Sequence, residues 1–250
     1  SVLAPSEDKP SATTMTLILA DKAFVGHIGT DNRGSKFNGP YQFLGGVTVN
    51  SLLEDHSRAG LQGVFTSQTD ELLFLNAFYD LPINQEGTRL FFSSSVSKSE
   101  PGSTLKQFDI NGDSTSITLR LTHPFLRSRG KNLTGHLGFS GRNSTTKILG
   151  SLDSEDRLRV MNMGVSYDYA DEYQGVNLIR LNMSKGLNIF DATESGSSNL
   201  SRSQGKSNFT KLTGNLMRIQ SLSPSWNLLG AASWQYSFDN LLASEEFGVG

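Results

Sequence analysis

The feature that most constrains this chain is a succession of long segments in which apolar and polar residues alternate. In residues 116–122, Ile117, Leu119 and Leu121 project to one side and Ser116, Thr118, Arg120 and Thr122 to the other. Residues 131–142 set Leu133, Gly135, Leu137 and Phe139 against Thr134, His136, Gly138, Ser140 and Arg142. Residues 226–237 set Trp226, Leu228, Gly230, Ala232, Trp234 and Tyr236 against Asn227, Leu229, Ala231, Ser233, Gln235 and Ser237. Side chains alternate across a strand with period 2, so each segment predicts a strand with one apolar and one polar face. The same reading predicts strands over 23–32, 40–52, 57–67, 71–81, 88–99, 157–169, 175–187 and 208–222, eleven in all. Globular strands average about 5–6 residues, whereas a tilted membrane-crossing strand needs about 9–11. The lengths favour a membrane-spanning β-sheet over a soluble sandwich.

Composition narrows the function classes. Among 250 residues there is no cysteine, which excludes disulfides, thiolate metal sites and a cysteine nucleophile. Formal net charge is −2, so nothing points to nucleic acid as a partner. No apolar run approaches the ~18–20 residues of a membrane helix, yet a mean hydropathy of −0.30 is compatible with a barrel, whose strands alternate. No Gly-x-Ser-x-Gly elbow, P-loop or dinucleotide fingerprint occurs. The four histidines lack metal-ligand spacing. Asp109-x-Asn111-x-Asp113 begins like a calcium loop, but Ser114 stands where the turn glycine belongs and Arg120 where the bidentate glutamate belongs. The expectation is a non-enzyme without cofactor or metal.

Connections are expected to alternate between tight and loose. Asn111-Gly112 is a two-residue hairpin signal and Leu53-Glu54-Asp55-His56 a short link, while 147–156 and 191–206 read as long polar loops. Barrels of the outer membrane have short turns at one end and long loops at the other. Aromatics near strand ends, such as Tyr41, Phe43, Tyr79, Tyr167, Tyr169, Trp226 and Tyr236, suit interfacial girdles. On the polar side stand Arg58, Gln62, Arg120, His136, Arg142 and Arg218, with Arg180 and Gln220, and these are expected to face a wet lumen. In a soluble β-sandwich binding module, the remaining alternative, they would face bulk water.

Four stretches carry a resemblance. They are Thr30-Asp31-Asn32-Arg33-Gly34-Ser35 followed by Gly39-Pro40-Tyr41; His123-Pro124-Phe125-Leu126-Arg127-Ser128 with Lys131-Asn132-Leu133; Phe209-Thr210-Lys211-Leu212 with Arg218-Ile219-Gln220; and Ser244-Glu245-Glu246-Phe247-Gly248-Val249-Gly250. In this order and spacing they resemble the barrel of the two-partner secretion transporters, the haemolysin activation/secretion group of the Omp85 superfamily. The resemblance implies an all-β, antiparallel up-and-down transmembrane β-barrel of roughly sixteen strands, about eleven of them here, in the outer membrane of Gram-negative bacteria. It further implies two periplasmic polypeptide-transport-associated domains before the barrel, so residues 1–20 would end such a domain and 21–250 would be barrel. The implied partners are outer-membrane lipid and one large exoprotein, of haemolysin or adhesin type, secreted without ATP. Family members continue past the last stretch into a fold-back loop bearing Val-Arg-Gly-Tyr and further strands, none of which lies in these residues. An Omp85-type insertase is the neighbouring reading; Asp31–Ser35 and Ser244–Gly250 resemble the secretion branch more closely.

Overall fold

The structure, a computed structural model, describes residues 2–5, 13–16 and 22–248. Two short strands, β1 (Val2–Pro5) and β2 (Thr13–Thr16), pair antiparallel. Both fall within the 1–20 segment, of which residues 6–12 and 17–20 lie outside the described residues.

Eleven strands follow: β3 (Phe24–Asp31), β4 (Gln42–Asn50), β5 (Arg58–Thr66), β6 (Leu73–Pro82), β7 (Arg89–Ser99), β8 (Asn111–Arg127), β9 (Lys131–Ile148), β10 (Ser151–Ala170), β11 (Gly175–Gly186), β12 (Thr210–Ser223) and β13 (Trp226–Ser237). Each pairs antiparallel with its chain neighbours in one unbroken meander, which leaves β3 and β13 as edges of an unclosed sheet. This is the all-β antiparallel up-and-down arrangement that the alternation and the resemblance together led us to expect, here as an open sheet.

Two local expectations are corrected. Asn111-Gly112 is not a hairpin turn: both residues lie inside β8, Gly112 opposite Ser99 on one side and Thr146 on the other. The chain reverses earlier, through a 3-10 turn at Ser103–Phe108 and a left-handed Asp109. The polar stretch 147–156 is not a loop either. β9 and β10 run through it to a two-residue turn, Leu149 and Gly150, both at positive φ, which matches the twist of a tight hairpin.

Residues opposite one another in register share a face, so the pairing defines two sides of the sheet. One side carries Leu61, Leu75, Phe92, Leu119, Phe139, Met163, Leu181, Leu216 and Trp234, all exposed or half-buried. Within β10 the apolar-side residues Met161, Met163 and Val165 are exposed while their neighbours Val160, Asn162, Gly164 and Ser166 are sheltered. A flat sheet shelters both faces equally; the sheet is therefore curved with its polar side concave. The apolar run on β10 spans Met161–Tyr169, nine residues or roughly 26 Å along the strand, about what a tilted crossing requires. At its short-turn end Tyr167 and Tyr169 stack at 4.9 Å, and at the long-loop end of the sheet Phe43 and Phe65 stack at 5.4 Å, as aromatic girdles do.

Connections at one end are short (51–57, 83–88, 128–130, 171–174, 224–225), and at the other they include 32–41, 100–110 and the 23-residue segment 187–209. The first three expected signature stretches fall at strand ends. In the 32–41 loop the Asp31 carboxylate accepts the Arg33 N–H at 3.0 Å and Ser35 Oγ accepts the Asn38 N–H at 3.1 Å. A Cβ on Gly34 would collide with the carbonyl of Gly39, so the turn admits only glycine there. Pro124 sits at a register shift in β8, where a residue lacking an N–H costs no ladder bond.

Candidate functional site

The concave side is organised in register rows. One row runs Arg58, Asp80, Phe91, Arg120, Gly138, Asn162, Ser184, Lys211, Ser237 from β5 to β13. A second runs His27, Gly46, Gln62, Asn76, Ser95, Ser116, Arg142, Leu158. His136 stands in a third, between Thr122 and Gly164. Six of the eight residues expected on the polar wall, Arg180 among them, therefore share one face. Arg218 does not. It lies on the apolar side with Leu212 and Leu216, because β12 carries large apolar residues on both faces (Met217 and Ile219 on the other) and its alternation misleads. Gln220 shares that side.

The wall is basic and smooth. Asp80, 6 % exposed, takes ion pairs from both Arg58 and Arg89, the latter at 2.9 Å, so this trio keeps one net positive charge. Among the described residues Arg120, Arg142 and Arg180 have no carboxylate partner. The Arg120 guanidinium instead lies 5.2 Å from the Phe91 ring, itself stacked on Phe78 at 6.1 Å. Small side chains fill most of the rest from β7 to β9: Ser95 and Ser116 share a hydrogen bond at 2.7 Å, and Gly60 and Gly164 leave the space that Phe78 and His136 occupy. Such a surface attracts acidic and polar chain, offers planar cationic contacts, and presents few deep apolar pockets in which a passing segment would lodge.

At the long-loop end, the only cluster of buried apolar residues among those described joins β10 to two connections: Leu158 and Val160 pack with Leu200 and Phe209 of the 187–209 segment and with Leu241 and Leu242. The third and fourth signature stretches meet here. Lys211 Nζ pairs with Glu245 at 2.6 Å, both side chains largely buried, and lies 5.6 Å from the Phe209 ring. Glu246 pairs with Arg202, and Gln235 Nε2 donates to the Glu245 carbonyl at 3.2 Å. Asp239, held below the usual carboxylate range by Lys206 and by the Thr210 N–H, completes the latch. Ser244, Phe247 and Gly248 remain exposed around it. Sequence reasoning quoted Phe209, Lys211 and Glu245 but not the meeting of the latter two, nor the Asp80–Arg89 pair; an acid on the polar face of β6 facing two arginines in neighbouring strands was the available signal.

At the short-turn end, Arg218 donates to Asp171 Oδ2 at 2.5 Å and to Asn177 Oδ1 at 2.6 Å, and Gln220 Nε2 donates to the Tyr173 carbonyl at 2.7 Å. Arg218 and Asn177 hold the Asp171 carboxyl well below the usual range. This cluster closes the β10–β11 turn rather than lining the wall. Among the described residues no group of histidine, aspartate or glutamate could hold a metal ion.

The family model for the haemolysin secretion/activation proteins ShlB/FhaC/HecB matches residues 19–250. No curated protein sequence matches the chain. Among solved structures the fold is similar to CdiB from Escherichia coli (TM-score 0.80, 20 % identity, 96 % of this chain and 45 % of that one). It is also similar to CdiB from Acinetobacter baumannii (0.60, 14 %, 91 % and 40 %). BamA from Haemophilus ducreyi, lacking its first three POTRA domains, matches at TM-score 0.58 and 11 % identity over 91 % of this chain and 43 % of that one. The chain spans less than half the length of each. With the meander, the lipid-type outer face and a family match over nearly its whole length, the chain belongs to the haemolysin secretion/activation protein family ShlB/FhaC/HecB and is part of an outer-membrane β-barrel.

Proposed function

We propose that this chain forms the first eleven strands of the barrel of a two-partner secretion transporter, and that its concave wall lines the path of a large exoprotein of haemolysin or adhesin type. Residues 1–20 then end a periplasmic polypeptide-transport-associated domain, the short turns face the periplasm, and the long loops face outside. The observation that carries the reading is the polar wall: one register row runs from Arg58 on β5 to Ser237 on β13 with Phe91 as its one large apolar member, a second carries only polar residues and glycine from His27 to Arg142, and Arg120 and Arg142 are free of carboxylates. An unfolded chain in transit needs contacts that are many, weak and exchangeable, and solvated arginines with Ser, Thr and Gly neighbours supply them. No residue of the wall performs chemistry; the work is passage.

The test uses the full-length transporter with its exoprotein. Arg120→Ser with Arg142→Ser should leave barrel assembly intact, scored by heat-modifiable migration, while altering single-channel conductance and slowing export. Normal export and conductance in an assembled double variant would refute the role assigned to the wall.

A further inference from the structure

The outer face carries an asymmetry at the long-loop end of its apolar band. Basic residues stand there on several strands: Lys98 on β7 faces Asp113 directly across the β7–β8 ladder, and Arg157 on β10 pairs with Glu155 and with Asp191. Arg159 and Lys185 are different. Among the described residues neither has an ion pair, and they are the two closest to the band: Lys185 lies opposite Met161, and Arg159 precedes it by two. They are diagonal neighbours on adjacent strands, a relation that sets residues about 7–8 Å apart with Cβ atoms somewhat closer. Neutral oxygens hold both in place. Arg159 donates to Asn143 Oδ1 at 2.9 Å and to the Phe190 carbonyl at 3.1 Å, and Lys185 to the Asn208 carbonyl and Thr210 Oγ1, each at 3.0 Å. Phe190, 73 % exposed, turns back onto the outer face against Phe139, with ring centroids 6.2 Å apart.

We propose that Arg159 and Lys185 bind the phosphate groups of an outer-leaflet glycolipid, whose sugars meet the neighbouring amide and hydroxyl groups and whose acyl chains run down the apolar band beside Phe190. Two oriented cations without a direct ion pair, at the rim of a hydrocarbon-facing surface, are complementary to an anionic headgroup above acyl chains, and the arginine fork suits phosphate. The neutral hydrogen-bonding groups that hold the cations favour a sugar headgroup over glycerol. The inference rests on the proposed orientation, which puts this end in the outer leaflet.

The experiment purifies full-length transporter from membranes and measures lipid retention by native mass spectrometry against lipid A, lipid A stripped of both phosphates, and phosphatidylglycerol. Wild-type protein is expected to retain lipid A at least tenfold better than either of the others. Arg159→Gln with Lys185→Gln should lose that preference while Lys98→Gln keeps it; should the double variant fail to assemble, each single variant should lower retention severalfold. Equal retention of all three lipids, or undiminished preference in the variants, overturns the proposal. Export of the exoprotein is scored in the same cells and reports on the pore, so the two readings fail separately.

Discussion

Leu121 on β8 is the position at which a single charge should hurt most. It sits midway along the outer run Ile117–Phe125 and is flanked in register by Leu90 and Leu137. An arginine on the lipid face costs about 2–4 kcal/mol at the bilayer midplane and about 0–1 kcal/mol near the interface. Leu119 lies two residues away, roughly 7 Å along the strand and about 5 Å in depth at a tilt of about 40°. Against a half-thickness of about 15 Å, Leu119→Arg should retain about two-thirds of the midplane cost. At about 1.4 kcal/mol per decade, Leu121→Arg lowers the folding constant roughly 30- to 700-fold. Thr118 is the control: it points to the concave side between Ser93 and Ser140, where an arginine stays in water and the change should fall within about 0.5 kcal/mol. The assay is denaturant titration of the full-length barrel refolded in vesicles, with folded fraction read from heat-modifiable migration. Equal costs for Thr118→Arg and Leu121→Arg, or no gradient from Leu121 to Leu119, would refute the assignment of the faces.

Three further outcomes follow from the clusters at the two ends. Glu245→Gln or Lys211→Met strands a largely buried partner, so either should destabilise the latch by about 1–3 kcal/mol and speed proteolysis within 187–209, and combining them should recover part of the loss. The Asp171 carboxyl is held low by Arg218, so its contribution is present above the ordinary carboxylate pKa of about 3.9 and lost as pH falls below it. Arg218→Gln should move its titration up toward the ordinary range, as followed by carboxylate infrared bands, without affecting conductance at neutral pH. Gly34→Ala should disorder the 32–41 loop, seen as new protease cleavage there in an otherwise assembled barrel.

Most of the barrel was legible because lipid on one side and water on the other enforce alternation. Where that constraint relaxes, so does the signal. Residues 140–160 extend past the apolar run, and there a strand needs only backbone pairing, so a polar stretch reads as loop although β9 and β10 continue through it. Asn111-Gly112 carries turn chemistry, but two flanking strands claim its backbone, and the reversal falls to Asp109. Arg218 was misplaced because apolar residues occupy both sides of β12, and what fixes it is Asp171, 47 residues earlier in the chain. The Lys211–Glu245 pair likewise joins residues 34 apart, across a fold-back that no local pattern announces.

The central claim, that the concave wall meets the secreted chain, is most directly tested by photocrosslinking in transit. A photoreactive amino acid is placed singly at Thr118, Arg120 and Arg142, and at Ile117, Leu119 and Leu121, in the full-length transporter, with its exoprotein stalled during export by a folded C-terminal fusion. The account predicts crosslinks to the exoprotein from the first three positions and none from the second three. Crosslinks from Leu119 or Leu121, or an exoprotein stalled in the barrel without contact to Thr118, Arg120 or Arg142, would contradict it.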